Sequence, residues 1–451
     1  MSDDLSDFGG SILRPGTASY DQARVVYNSM VDKRPGLIAQ CSSPDDVAAA
    51  LRYGVAEGLE VAVRGGGHGV SGAAVSDGGL VIDLRMMRGV EIDQENRLAR
   101  VSGGATWADL DTAGQRYGLA TTGGRVSTTG VAGLTLGGGS GWLERKHGFA
   151  CDALVSVDLI TADGRSVTAD ETSHSELFWA LHGGGGNFGV ATALTFRLRP
   201  VATMTLAMLF WPAVAGDEVL RTYRDLFDDG VPEELGGGVL FLTGPPEPFV
   251  PPHLQGKRLV VASAVHAGSE AETRDLFAPM FELAPEATMV AELPYAAIQS
   301  ALDTPAGFRN YWSAEHLSAF PDDAISRYCA RADEMPSPST SQQLTIPWGG
   351  AVARSADEWP LPHRHAAWVV HPFGQWTDPR DDEQVKSWAR GVCTDLAPWA
   401  TGSVYLNLIG DEGPDRIRTA YGEGNYLRLA EVKGKYDPAN VFHLNHNILP
   451  A

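Results

Sequence analysis

The sequence predicts an α+β fold made of two domains. Its 451 residues are more than one hydrophobic core usually organises, so at least two domains are expected. Residues 1–200 alternate helical patterns with short apolar strands, whereas residues 201–400 hold most of the prolines and fewer glycine clusters. We therefore predict one domain over 1–200, a second over 201–410, and a C-terminal segment over 411–451, where a helical pattern returns in "GNYLRLAEVKGKYDP".

Two helices of the first domain have clear start and stop signals. In "SPDDVAAALRYGVAE", Ser43 can cap the helix, Pro44 suits its first turn and Gly58 follows its end. In "TWADLDTAGQRYG", apolar residues recur at helical spacing before Gly118. Both segments are therefore predicted to be helices.

The strands of this domain are predicted from apolar runs between turn residues. "LEVAVRG" and "GGLVIDLRMM" indicate two strands, and "ALVSVDLITADGRSVTA" indicates a hairpin that turns at Ala162-Asp163-Gly164. In "SHSELFWALHGGGGNFG", Ser173 and Glu176 predict a capping box, and "VATALTFRLRPV" follows as a strand. Residues 121–149 are too rich in glycine for a regular element and too apolar for a disordered linker. We expect an ordered coil there that lines a site.

Bulk composition restricts the class of partner. The chain has 56 acidic and 35 basic residues, a formal charge of −21, which argues against binding to nucleic acid or to an anionic membrane. The four cysteines have no zinc-ligand spacing and are expected to be buried thiols. The acidic N-terminus lacks a signal pattern, and no apolar stretch is long enough to span a membrane, so a cytoplasmic protein is expected.

Three glycine clusters, at 64–69, 137–141 and 183–189, raise the question of a bound phosphate or dinucleotide. A Rossmann fingerprint must lead from a strand into a helix, but "RGGGHG" and "HGGGGNFG" both lead to strands. No cluster ends in the GK[ST] of a P-loop. Turns whose backbone N–H groups hold a cofactor phosphate are what remains.

The order and wording of these clusters resemble one family. The chain resembles the FAD-linked oxidases of the berberine bridge enzyme type, in the vanillyl-alcohol oxidase and p-cresol methylhydroxylase (PCMH) superfamily. The resemblance is carried by "VRGGGHGVSG", "TTGVAGLTLGGGSGWLERKHGFACDALVSVDLITADG", "ELFWALHGGGGNFGVATALTFRL" and "YGEGNYLRLAEVKGKYDPANVFHLNHNI". It implies a PCMH-type FAD-binding domain completed by the C-terminal segment, with an inserted substrate domain of antiparallel sheet covered by helices.

The resemblance implies that FAD is the cofactor and that His68 is covalently bonded to its 8α carbon. Three glycines before His68 would let the backbone lie against the ring, and a neutral imidazole is a competent nucleophile. The other residues that the resemblance assigns to cofactor binding are Arg64, Gly65, Gly66, Gly67, Gly69, Val126, Ser127, Thr128, Thr129, Gly133, Gly138, Gly139, Gly141, Val190, Asn445 and Asn447.

The loop "GRVSTTGVAG" sets this chain apart from many relatives. Val126 stands where those proteins have a second flavin-linked cysteine, so a single covalent bond is expected, as in the monocovalent bacterial branch. Cys151 lies outside the motif and is expected to be a packed thiol. Thr129 matches the position that in relatives shapes the oxygen pocket beside the flavin, so the resemblance favours an oxidase that uses O2.

Oxidation of an alcohol or amine needs a base near the flavin. "SVYLNLIG" alternates so that Tyr405 and Asn407 share one face of a predicted strand, and Tyr405 is the first candidate for the base. Many relatives have a second tyrosine where this chain has Leu408, and that one could be their base. His371, in "PLPHRHAAWVVHPFGQW", stands where relatives have a cleft-facing glutamine or acid and could orient or deprotonate the substrate. No ligand spacing supports a metal site.

The resemblance favours an FAD-dependent oxidase of small molecules or secondary metabolites that releases hydrogen peroxide. The alternative within enzymes is an oxygenase of natural-product biosynthesis that works through a flavin N5-oxide. A binding protein with a degenerate flavin site is the alternative from another class, and the intact glycine loops argue against it. Trp312, Trp348 and Trp368 could line the substrate cleft or belong to the core.

Overall fold

The first half of the chain forms two sheets and a short two-stranded ribbon. The computed structural model describes residue 5 and residues 8–247, 250–304, 306–337, 339–355 and 357–451. A four-stranded sheet has the order β1-β2-β4-β3, and a five-stranded sheet has the order β5-β6-β10-β8-β9. The strands of these sheets and of the β11-β7 ribbon are β1 (Ser11–Leu13), β2 (Leu37–Gln40), β3 (Val61–Arg64), β4 (Leu80–Asp83), β5 (Val90–Asp93), β6 (Leu98–Ser102), β7 (Leu119–Ala120), β8 (Leu154–Ile160), β9 (Ser166–Asp170), β10 (Val190–Arg197) and β11 (Arg199–Pro200).

The second half is built on one large antiparallel sheet. Its strand order is β15-β12-β14-β13-β18-β19-β16, and β17 pairs with β19 next to β16. These strands are β12 (Thr203–Pro212), β13 (Leu235–Thr243), β14 (Arg258–His266), β15 (Ala287–Pro294), β16 (Arg309–Trp312), β17 (Glu315–Leu317), β18 (Gln342–Pro347) and β19 (Trp368–Trp376).

The α-helices lie around these sheets and include two near the C-terminus. They are α1 (Tyr20–Arg24), α2 (Pro44–Ala56), α3 (Trp107–Gln115), α4 (Val131–Leu136), α5 (Glu144–His147), α6 (Ser175–Ala180), α7 (Gly216–Asp228), α8 (Glu270–Leu276), α9 (Ala278–Glu282), α10 (Tyr295–Gln299), α11 (Asp322–Asp333), α12 (Ala351–Arg354), α13 (Asp382–Leu396), α14 (Pro414–Tyr421) and α15 (Glu423–Tyr436). In the described part of the chain, no helix combines the length and apolar character that crossing a membrane requires.

Several predicted elements are confirmed, because their local signals agree with their packing. Ser43 caps α2 by accepting from the N–H of Asp46, and the carboxylate of Asp46 completes a capping box. The predicted hairpin forms from β8 and β9, and the C-terminal helical pattern is α15. The α+β class follows from mixed sheets and helices in both halves.

Two local predictions are wrong. The predicted coil over 121–149 contains the short helices α4 and α5, because apolar side chains of α4 such as Val131 and Leu136 are buried in the core. The Ser173 capping box does not form. Its backbone N–H instead donates to the carboxylate of Asp170 at 2.7 Å, and α6 begins only after His174, which adopts φ of 51°.

The large sheet has a covered face and a face turned toward the first half. Helices α7, α11 and α13 contribute apolar side chains to one core with Trp368 and Val370 of β19. Because successive strand residues point to opposite faces, His371 and Phe373 belong to the other face. The two halves therefore meet across the uncovered side of this sheet.

The C-terminal segment returns to the first half and is fixed there by a buried ion pair. The ammonium of Lys433 lies 2.8 Å from the carboxylate of Asp437 and also donates to the carbonyls of Asn187 and Phe442. The Asn187 side chain in turn contacts the backbone of His446 and Ile448. The tail is thereby held against the glycine cluster at 183–189.

Candidate functional site

A cavity of about 410 Å³ lies between the glycine loops, the uncovered face of the large sheet and the C-terminal tail. Glycines from all three clusters of the sequence contribute to its wall. Of the predicted residues, the wall contains Gly65, Gly66, Gly67, His68, Gly69, Val126, Thr129, Gly133, His371, Tyr405, Asn407 and Asn445. Segments that are distant in sequence therefore converge on one site.

Two of the glycine loops touch each other through their backbones. A Cβ atom on Gly66 would lie 2.3 Å from the backbone nitrogen of Gly130, and one on Gly130 would lie 2.4 Å from that of Gly66. Real Cβ atoms do not approach other atoms so closely, so only glycine fits at both positions. This contact fixes the loop of His68 against the loop of Thr129.

The wall has the features expected of a site for a large cofactor. Cβ atoms on Gly69 or Gly133 would meet nothing within 4 Å, so both glycines leave open space in the cavity. Among the described residues, the Oδ1 atom of Asn445 in the wall is buried without a hydrogen-bond partner, and so is that of Asn447, which lies outside the wall. Buried acceptors without partners call for a ligand or water that donates to them. Bare backbone, open space and unpaired amide oxygens together fit a dinucleotide.

His68 is held in the cavity wall by an aromatic stack. Its ring lies 3.7 Å from that of Tyr27 between centroids, at an interplanar angle of 19°, and its Nε2 lies 3.5 Å from the hydroxyl of Thr128. Burial lowers the pKa of His68 to about 4, although the nearby carboxylate of Asp303 acts in the opposite direction. The imidazole is therefore neutral at physiological pH and positioned at a fixed point of the wall.

The loop next to His68 is fastened by the second half of the chain. The carboxylate of Asp303 accepts from the backbone N–H of Ser127 at 2.6 Å and from its hydroxyl at 2.5 Å. The hydroxyl of Tyr27 lies 2.8 Å from that of Thr304. Leu302 and Thr304 line the cavity beside the Tyr27 and His68 stack, and the carboxylate of Asp303 between them is held by Ser127.

The uncovered face of the large sheet supplies the other wall. Gln342, Leu344 and Ile346 alternate along β18, and all three line the cavity. On β19, His371 is the register partner of Leu344 and Phe373 that of Gln342, and Phe373 also pairs with Trp312 of β16. The three strands therefore present one contiguous patch, which we call the sheet face: Trp312, Gln342, Leu344, Ile346, His371 and Phe373.

His371 is the titratable group of the sheet face. Its Nδ1 lies 2.8 Å from the carbonyl oxygen of Ser313, and since a carbonyl only accepts, Nδ1 carries the proton. Nε2 keeps its lone pair and has no hydrogen-bond partner among the described residues. Burial, with a smaller contribution from Arg125, lowers the pKa of His371 to about 4. The result is a neutral imidazole with a free acceptor nitrogen.

The structure corrects the predicted strand around Tyr405. Residues Leu406–Leu408 form a 3₁₀ turn, closed by the N–H of Leu408 on the carbonyl of Tyr405, so no alternating face exists. Tyr405 and Asn407 still meet, because the Asn407 amide donates to the Tyr405 hydroxyl at 2.9 Å. Leu408, at the position of the second tyrosine in many relatives, lines the cavity as an apolar side chain.

The phenol oxygen of Tyr405 is fully engaged by the protein. Besides Asn407, the backbone N–H groups of Gly139 and Ser140 donate to it at 2.6 and 2.9 Å. These three donors occupy the lone pairs of the phenol oxygen, so a substrate O–H could donate to it only by displacing one of them. Burial raises the pKa of Tyr405 to about 12 in spite of these donors. In this arrangement Tyr405 holds the glycine loop, and His371 has the acceptor that a base needs.

The remaining predicted residues are not in the cavity wall. The guanidinium of Arg64 donates to the carbonyls of Ala23 and Val25, and Val190 is buried in the core of the first sheet. Gly141 is required by packing, because a Cβ there would lie 1.8 Å from the carbonyl oxygen of Gly123. The predicted residues outside the wall are Arg64, Ser127, Thr128, Gly138, Gly139, Gly141, Val190 and Asn447. Most of these residues pack or hold the loops that form the wall.

Sequence reasoning missed several side chains of the site. Tyr27 stacks on His68 from a segment without a motif, and Arg125 lines the cavity directly before the singled-out Val126. Phe373 could have been predicted from the sequence, because it follows His371 by two residues and such residues share one face of a strand. Trp312 lines the cavity, whereas Trp348 and Trp368 belong to the core.

Comparison with protein families agrees with this site. The family described as "FAD binding domain" matches residues 35–170, and the family described as "Berberine and berberine like" matches residues 404–449. The two matches cover the His68 loop, most of the glycine clusters and the tail that closes the cavity.

Whole-chain relatives include oxidases of different substrates. The (R)-6-hydroxynicotine oxidase of Paenarthrobacter nicotinovorans is 29% identical over 98% of this chain and 97% of that protein. The glucooligosaccharide oxidase of Sarocladium strictum is 27% identical over 94% of this chain and 89% of that protein.

Solved structures agree in fold over the whole length. The 6-hydroxy-D-nicotine oxidase from Arthrobacter nicotinovorans has a TM-score of 0.87 at 25% identity, covering 100% of both chains. The xylooligosaccharide oxidase from Myceliophthora thermophila C1 has a TM-score of 0.88 at 21% identity, again covering 100% of both chains. The predicted PCMH-type α+β fold is thereby confirmed.

Proposed function

Because the chain belongs to the berberine bridge enzyme-like, FAD-linked oxidoreductases, we propose that it is an oxidase of small molecules. Its substrate loses a hydride from a carbon that bears a hydroxyl or amine, and the electrons pass to O2, which becomes hydrogen peroxide. The observation that carries this proposal is the glycine-lined cavity, whose wall contains His68 on a glycine loop and His371 on the sheet face.

FAD, when bound, supplies the acceptor for the hydride and the route of its two electrons to O2. The residues Gly69, Gly133 and Asn445 would hold it, since they provide open space and an unpaired amide oxygen. The sheet face would place the substrate on the other side of the cavity.

His371 would accept the substrate proton. Its Nε2 lone pair is free because Nδ1 donates to Ser313, and burial keeps the ring neutral. The O–H or N–H proton passes to Nε2 as the C–H bond gives up its electron pair, so a carbonyl or imine forms. Tyr405 and Asn407 would act as positioning residues by holding the loop at Gly139 and Ser140.

His68 would attach the cofactor through a single covalent bond. A neutral imidazole is the nucleophilic form, and the stack with Tyr27 fixes its position. Val126 offers no sulfur for a second bond, and Cys151 is buried outside the wall, where it contacts Asp152 and Arg364.

The proposal is tested by acid precipitation of the purified protein. Flavin colour is expected to stay with the precipitate of the native chain and of the His253→Ala variant, in which an exposed histidine outside the wall is replaced. His68→Ala is expected to release all flavin into the supernatant. Release from the native chain would overturn the covalent bond but leave the FAD site intact.

Oxidase activity is tested by measuring the O2 consumed and the hydrogen peroxide formed while the enzyme oxidises a substrate. One hydrogen peroxide for each O2 consumed is the expected result. Consumption of O2 without matching peroxide, together with an O2-derived oxygen atom in the product, would contradict the oxidase and favour the oxygenase alternative.

A further inference from the structure

The charges of the cavity wall restrict what kind of substrate it can hold. Among the described residues, no Asp, Glu or Lys lines the cavity, and Arg125 is its one permanently charged side chain. The histidines of the wall add no charge at neutral pH, since burial lowers the pKa of His68 and of His371 to about 4 and also lowers that of His446.

The charge of Arg125 is already matched within the protein. Its guanidinium lies 2.6 Å from the carboxylate of Glu144, and both side chains are largely buried. That carboxylate also accepts from the hydroxyl of Ser140 at 2.5 Å and from the N–H of Gly141 at 3.1 Å. Glu144 is therefore occupied and offers no negative charge to a ligand.

The sheet face is equally poor in polar groups. Of its six side chains, Leu344, Ile346 and Phe373 have no polar atom, and Trp312 offers only an indole N–H. Gln342 and His371 are the two that can accept a hydrogen bond. The Nε1 atom of Trp312 is buried without a partner in the described part of the chain, so its N–H is an unpaired donor near His371, in addition to the amide of Gln342.

We infer that the substrate is a compact, uncharged alcohol on an aryl or alicyclic frame, rather than an amine that is protonated at neutral pH or an oligosaccharide. This inference rests on the proposed oxidase function, of which it names the substrate class. It goes further than the family likeness, because relatives act on both an amine and oligosaccharides.

The physical argument against an ammonium ion is the cost of an unpaired charge. A buried cation without a counter-ion is disfavoured, and among the described residues no carboxylate of the wall can pair with it, because Glu144 is already paired with Arg125. An oligosaccharide would bring many hydroxyl groups to a face with few partners, and each buried hydroxyl without a partner disfavours binding. A single alcohol O–H needs only the Nε2 acceptor of His371.

Binding can be measured without turnover by using a pair of matched compounds. Cumyl alcohol and cumylamine have the same frame and no hydrogen on the carbon that would be oxidised, so neither can donate a hydride. In calorimetry of the flavin-loaded protein at pH 7, the alcohol is expected to bind at least about tenfold more tightly than the ammonium form. Equal or tighter binding of the amine, or no binding of the alcohol, would overturn the inference.

A designed carboxylate gives a second test. Leu344 is the register partner of His371. Leu344→Glu is expected to improve the affinity for cumylamine by about tenfold, through the counter-ion that the native wall does not provide. Leu344→Gln, which has nearly the same shape without the charge, is expected to give no gain. An equal gain in both variants would mean that polarity rather than charge limits amine binding, against the inference.

Anaerobic bleaching of the flavin separates this inference from the proposed function. Benzyl alcohol is expected to bleach the flavin faster than benzylamine or cellobiose. Faster bleaching by the amine or the sugar would overturn the substrate class and leave the oxidase standing. If cumyl alcohol binds selectively but none of the three compounds bleaches the flavin, the preference of the wall for an uncharged alcohol stands, whereas the proposed oxidation of such alcohols is overturned.

Discussion

Two histidines flank Trp312 in the cavity, and they are built into it in different ways. The ring centroid of His68 lies 6.4 Å from that of Trp312, and the ring centroid of His371 lies 5.7 Å from it. We assign cofactor attachment to His68 and proton transfer to His371. Burial lowers the pKa of both to about 4. His68 stands on a loop of bare backbone, whereas His371 stands on a strand among side chains from three strands.

The surroundings of the two histidines differ in how far apart in the sequence their contributing residues lie. The surroundings of His68 depend on glycines that touch other backbone, such as Gly66 against Gly130, and such glycines are visible as clusters in the sequence. The surroundings of His371 depend on the register of β16, β18 and β19, which joins residues from 309 to 376. One half of the site is therefore local in sequence, and the other exists only after the sheet has paired.

The largest expected effect distinguishes the two histidines by role. His371→Asn keeps an N–H that can donate to the Ser313 carbonyl but removes the basic nitrogen. The rate of anaerobic flavin reduction by a substrate is expected to fall about a hundredfold to ten-thousandfold, with flavin content unchanged. Phe373→Leu, a neighbour on the same face, is the packing control. Loss of flavin from His371→Asn, or a rate close to native, would contradict the assignment.

The pH dependence of the native rate has a defined sign. The base acts in its neutral form, and burial lowers the pKa of His371 to about 4. The second-order rate constant of flavin reduction, whose pH dependence reports the free enzyme, is therefore expected to stay flat from pH 8 to about pH 5. It is expected to decline as the pH falls through about 4. A decline centred near the ordinary histidine pKa of about 6.5 would point to a different, more exposed group.

The Tyr405→Phe variant tests a side chain whose proposed role is to hold the loop at Gly139 and Ser140 in place. The change removes the acceptor of the Gly139 and Ser140 amides, so a loss of about 1–3 kcal/mol in the free energy of unfolding is expected. Urea unfolding measures this loss, and the flavin reduction rate is expected to change far less than in His371→Asn. Unchanged stability with a rate loss of a hundredfold or more would instead restore Tyr405 as the base.

The smallest expected effect comes from two glycines of the His68 side. Gly66→Ala places a Cβ against the backbone of Gly130 and is expected to cost about 1–3 kcal/mol of stability, read as a lower Tm. Gly133→Ala lies in α4 with its Cβ in open cavity space and is expected to leave the Tm of the flavin-free protein unchanged or slightly higher. It should lower flavin content. Equal stability losses in the two variants would mean that Gly133 is structural as well.

The sequence predicted those parts of the fold that have local causes. The cap at Ser43 and the β8/β9 hairpin depend on contacts within a few residues. The turn at Leu406–Leu408 was missed because its apolar-polar alternation imitates a strand, and α4 was missed because tertiary burial outweighs its glycines. In the site, the glycine motifs pointed to the cofactor side, but no local pattern announces that Tyr27 stacks on His68.

The central claim is that His68 carries the cofactor in a cradle of glycines, and the mass of one peptide tests it most directly. Trypsin cuts after Arg64 and Arg85, and the peptide 65–85 contains His68 as its one histidine and no cysteine or tyrosine. The account predicts that this peptide, from protein purified with its flavin, is heavier by the mass of one bound FAD and that fragmentation places the addition on His68. An unmodified 65–85 peptide, or FAD found on any other peptide, would contradict it.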